Sequence, residues 1–72
     1  MKEIDKAVEL LQPLLEGIAK ERNCVVDIKA TDINGFDFIT VTIDKGKYEI
    51  PVECMNMRAM IKAVIDTVAL KF

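Results

Sequence analysis

Between residues 2 and 22 apolar side chains return every three or four positions. Ile4, Val8, Leu11, Leu15 and Ile18 make one stripe, widened by Ala7, Leu10 and Leu14. That spacing predicts an amphipathic helix whose apolar arc covers about half its circumference. Pro13 falls inside it, pointing away from the stripe. It lacks an amide hydrogen and presses on the carbonyl of Glu9, so a kink or break near residues 9–12 is expected. Arg22-Asn23 is the expected stop, because asparagine tolerates the left-handed backbone that closes many helices.

The period then changes from three-to-four to two. Three β-type runs follow, at 24–33, 36–44 and 47–52, separated by Asn34-Gly35 and by Lys45-Gly46. Asn-Gly suits a two-residue hairpin loop that needs positive φ at both positions. With such a loop at Asn34-Gly35, Ala30 opposes Ile39, Ile28 opposes Val41 and Val26 opposes Ile43. With a second at Lys45-Gly46, Ile43 opposes Tyr48, Val41 opposes Ile50 and Ile39 opposes Val52. The two loops place the same middle-strand residues on one apolar face, and a slip of one residue would reverse every side chain.

The opposite face carries Asp27, Lys29 and Thr31, then Phe38, Thr40 and Thr42, then Lys47, Glu49 and Pro51. It is expected to meet water, as one side of an antiparallel sheet often does. Pro51 fits an edge strand. From about Asn56 the helical period returns with Met57, Met60, Ile61, Val64, Ile65 and Val68, and Asn56 is the expected N-cap. The predicted fold class is α+β. Residues 1–72 form a single two-layer α-β-β-β-α domain, a three-stranded antiparallel meander with both helices on one face.

Composition narrows the function classes. At 72 residues folding buries only about 60% of the unfolded chain's surface. Small domains commonly add a disulfide, a metal or a partner subunit. A 51% hydrophobic content is high for this size, so a second chain is expected to cover some of it. Ten basic and twelve acidic residues leave a net charge of −2 without any histidine. No basic footprint for nucleic acid follows. No signal-peptide pattern or membrane-spanning run is present, and the expected location is cytoplasmic.

Cys24 and Cys54 do not make a disulfide framework. The register puts them at opposite ends of the sheet, roughly 20 Å apart at a strand's rise, beyond disulfide reach. Both are expected to be buried or half-buried thiols. In "CMNMRAM", residues 54–60, Met57 and Met60 fall on the helical core stripe, and Met55 is expected to point away. Core packing explains them better than a soft-metal site. No cofactor and no metal are expected. Asp27 and Glu49 would flank Thr42 as solvated carboxylates, unlike a paired acid–base site, whose pKa values burial separates. No phosphate loop and no nucleophile–base set is present, so the chain is expected not to be an enzyme.

One surface stands out. The register brings Ile33, Phe36 and Phe38 together on the open face near the Asn34-Gly35 tip, and exposed apolar clusters of that kind mark partner sites. Ala59, Ala63 and Leu70 are expected to line the back of the last helix, where alanine's helix propensity explains them better than a second docking surface does. The expected function is a non-catalytic protein-binding module, self-associating through the open sheet face as a homo-oligomer.

Val41-Thr42-Ile43-Asp44, Glu53-Cys54 and Ala63-Val64-Ile65-Asp66, with Pro13 and Glu16 upstream, resemble the N-terminal domain of the bacterial ribosome maturation factor P family. The resemblance covers about a third of the chain. Where that family begins its helix, this chain has the strand-like Tyr48-Glu49-Ile50-Pro51-Val52. The resemblance implies a ribosome- or RNA-associated assembly factor as the alternative function. A small inhibitor or adaptor from a mobile element is a third possibility that size permits.

Overall fold

A computed structural model describes residues 2–72. The order is α1 (Glu3–Glu21), β1 (Val26–Ile33), β2 (Phe36–Ile43), β3 (Gly46–Pro51) and α2 (Met57–Val68). The three strands form one antiparallel sheet in the order β1-β2-β3. Both helices pack on one face of it. Among the described residues no helix is long and apolar enough to cross a membrane.

α1 runs unbroken through Pro13. Its buried residues are Ile4, Ala7, Leu11, Leu15 and Ala19. The buried stripe is narrower than the apolar pattern predicts. Ala19 takes the place expected for Ile18, and Leu10, Leu14 and Ile18 stay 41–57% exposed along one shoulder. Small Ala7 and Ala19 lie in the covered arc, and Leu10, Leu14 and Ile18 fall outside it. The helix ends as expected at Arg22-Asn23, where Asn23 has φ 56°. The Cys24 amide donates to the Ala19 carbonyl at 2.8 Å and the Asn23 amide to Lys20 at 3.4 Å, a pair that satisfies the last carbonyls of the helix.

The first hairpin follows the expected register, with Ala30 opposite Ile39, Ile28 opposite Val41 and Val26 opposite Ile43. Asn34 and Gly35 both have positive φ, 54° and 84°, and the Gly35 amide donates to Asp32 Oδ1 at 2.9 Å.

The second hairpin is displaced by two residues from the expected pairing. Ile43 opposes Gly46, Val41 opposes Tyr48 and Ile39 opposes Ile50. Asp44-Lys45 is therefore the loop, with the positive φ at Asp44 (52°). The cause is local. The Asp44 amide donates to the Val25 carbonyl at 2.8 Å, and Asp44 Oδ1 accepts from the Val25 amide at 3.0 Å. Gly46 is the first residue of β3, and its bare α-carbon makes room for Tyr48: a methyl there would meet the phenol oxygen at 2.7 Å. Because the displacement is even, each side chain keeps its face.

The core joins Ile28, Ile39, Val41, Ile43, Ile50 and Val52 to Leu11 and Leu15 of α1 and to Met60, Val64 and Val68 of α2. Asn56 caps α2 as expected, its side-chain oxygen accepting from the Ala59 amide at 2.8 Å. Met60 is buried and Met57 half-buried. Met55 lies before the helix and packs partly against the core rather than pointing away. Ala63 also packs against the core, while Leu70 lies beyond the helix and is 93% exposed. Ala59, Ala63 and Leu70 therefore do not share one back surface.

Gly17 is exposed within α1, and a methyl group there would meet nothing within 4 Å. Glycine in a helix interior costs about 1 kcal/mol relative to alanine. Gly17→Ala should stabilise the fold by about that much, read as a higher urea midpoint with an unchanged slope.

Candidate protein-binding face

The face opposite the helices is laid out in rows across the strands. Asp27, Thr42 and Lys47 make one row, and Lys29, Thr40 and Glu49 the next. Thr31, Phe38 and Pro51 follow, then Ile33 and Phe36 beside the Asn34-Gly35 tip. The pairing thus brings Ile33, Phe36 and Phe38 to one end of one face. Phe36 is 57% exposed, and Ile33 and Phe38 are half-buried. Pro51, whose place beside Phe38 follows from the displaced hairpin, extends the apolar end to the β3 edge.

The polar end differs from expectation in two ways. Thr40 is 1% exposed rather than solvated. Lys29 and Glu49 flank it in its row, and its hydroxyl lies 2.7 Å from that of Thr31. The second correction concerns the carboxylates. Asp27 and Glu49 do not flank Thr42, because the two-residue displacement puts Lys47 opposite Thr42 and Glu49 opposite Thr40. Each carboxylate is now one strand away from an ammonium group across a threonine. The expected pair of solvated acids about one threonine is replaced by alternating charges, Asp27 and Lys29 along β1 and Lys47 and Glu49 along β3. The sequence reading missed this alternation because it depends on which residues form the second loop.

Cys24 is half-buried, as expected; Cys54 is exposed. Cys54 sits in the turn after β3 at φ 62°. Two tethers hold this turn: the Met55 amide donates to the Val52 carbonyl at 3.2 Å, and Glu53 Oε2 accepts from the Asp37 amide at 2.7 Å. Glu53 and Cys54 therefore precede α2. Desolvation lifts the Cys24 thiol above its ordinary pKa, with the Asp44 carboxylate adding to the shift and Arg22 opposing it. Among the described residues no group of three or more His, Cys, Asp or Glu side chains is placed to hold a metal ion.

Iodoacetamide at neutral pH should alkylate Cys54 several-fold faster than Cys24 in the folded protein, and the two rates should converge in urea. Peptide mass spectrometry over a time course reads both sites. Comparison with known proteins returns nothing: no family model matches the chain, and neither does a curated protein or a solved structure.

Proposed function

We propose that the chain is a non-catalytic protein-binding module that self-associates through the open sheet face. The observation that carries this reading is Phe36, 57% exposed beside half-buried Ile33 and Phe38 on the side of the sheet away from both helices. Aromatic anchors on a flat apolar patch supply much of the energy in many interfaces.

The charges support a second copy as the occupant. Consider a two-fold axis parallel to β2, lying between two facing sheets. It sets β1 of one copy over β3 of the other. Asp27 then faces Lys47 of the second copy, and Lys29 faces Glu49, while Phe36 and Phe38 meet their own counterparts. Packed sheets lie about 10 Å apart with strands within about 30° of aligned. Lysine and glutamate side chains span that gap. The same face offers two ammonium groups and two carboxylates, so it makes no positive track for a phosphate backbone, which favours a protein partner over RNA.

Burying a phenylalanine side chain contributes about 1.5–3 kcal/mol. The double variant Phe36→Asp, Phe38→Asp should therefore weaken self-association through this face by at least about 100-fold, read by light scattering, with the fold retained by circular dichroism. Phe36→Asp alone, at the more exposed position, is the milder control. A wild type that stays monomeric at millimolar concentration sinks the proposal, as does a Phe36→Asp variant that self-associates unchanged.

A further inference from the structure

A second surface on the same sheet is the backbone edge of β1, distinct from the apolar end of the open face. β1 is an edge strand eight residues long, with no proline, no glycine and an unbroken register. The other edge, β3, is six residues long and ends on Pro51. Natural edges are guarded by shortness, proline, bulges or charged side chains; β1 has only the charges, Asp27, Lys29 and Asp32, and a partner that pairs Asp27 with Lys29 offsets two of them. The Asp44 amide bonds the Val25 carbonyl. In an antiparallel ladder bonded residues alternate, so Val25, Asp27, Lys29, Thr31 and Ile33 bond toward β2. The amides and carbonyls of Val26, Ile28, Ala30 and Asp32 point outward. Among the described residues none of these four makes a backbone bond outside the sheet.

We infer that β1 pairs antiparallel with β1 of a second copy about a two-fold axis through Ile28, perpendicular to the sheet. Outward groups can pair only with outward groups, so the axis falls on a residue and not between two. Centring on Asp27 or on Lys29 sets like charges side by side. Centring on Ala30 sets buried Ile28 beside exposed Asp32. Centring on Ile28 does neither. Ile28 then exchanges bonds with its own copy, and Val26 exchanges bonds with Ala30 in both directions. Asp27 lies opposite Lys29 of the second copy, twice, in the non-bonded positions where Cα atoms approach to about 4.5 Å. Val25, 75% exposed, lies beside Thr31 of the second copy. The axis keeps both helical layers on one side and both open faces on the other, so this contact uses the backbone edge and not the apolar end of the open face, while both contacts draw on Asp27 and Lys29.

The test reads backbone amides and charge exchange together. In the wild type at high concentration, the amides of Val26, Ile28 and Ala30 should exchange with deuterium at least about tenfold more slowly than at low concentration. Lys29→Asp, at an exposed position, should remove that protection. Adding Asp27→Lys should restore it, because the pair is swapped and not lost. The face-to-face contact predicts the reverse, since its Lys29 meets Glu49: there Lys29→Asp is rescued by Glu49→Lys, and Asp27→Lys sets two lysines against each other. The inference is overturned if the outward amides exchange at the same rate at every concentration. It is equally overturned if Asp27→Lys fails to rescue Lys29→Asp.

Discussion

The fold hangs on β2. It is flanked on both sides, and its residues alternate between a helix-covered face and an open one. Ile39, Val41 and Ile43 must all point toward α1 and α2, so both neighbouring strands must agree on the parity of their pairing. A one-residue error on either side would put β1 or β3 apolar residues into water and set charged ones against Leu11, Leu15 and Val64. An error of two costs far less, because it changes neighbours and not faces. That tolerance lets the second loop settle where Asp44 can bond back to Val25 and where Tyr48 finds space over Gly46.

The same constraint explains what was legible in the sequence. Element order, the face of each strand residue, the Asn23 stop and the Asn56 cap follow from periodicity and from individual residues with one physical role. The loop at 44–45 does not, because Gly46 reads as a turn residue until the Tyr48 ring is seen beside it. Nor does the solvent exposure of Leu10, Leu14 and Ile18. Helical spacing tells which residues share an arc, but tertiary packing selects which part of the arc is covered. The candidate face was legible as far as Ile33, Phe36 and Phe38. Its charge alternation was not, since it depends on the displaced pairing.

α1 also carries surplus apolar surface. Leu10 shares a shallow depression with Lys6, Glu9 and Met57, so the exposed shoulder meets the start of α2. Scattered exposed aliphatics are ordinary in a small domain. Here they lie on the side away from the open sheet face, and the surfaces are separable by mutation.

The Asn34-Gly35 tip has a chemical lifetime as well as a shape. Glycine offers no side chain to shield its backbone nitrogen, and attack of that nitrogen on the Asn34 side-chain carbonyl releases ammonia and closes a cyclic imide. Hydrolysis of the ring leaves an acid where an amide had been. The Asp32 carboxylate engages the Gly35 N–H at 2.9 Å, occupying the would-be nucleophile. An aged molecule would carry an extra negative charge beside Ile33 and Phe36, so preparations of different age could differ in docking while sharing one fold.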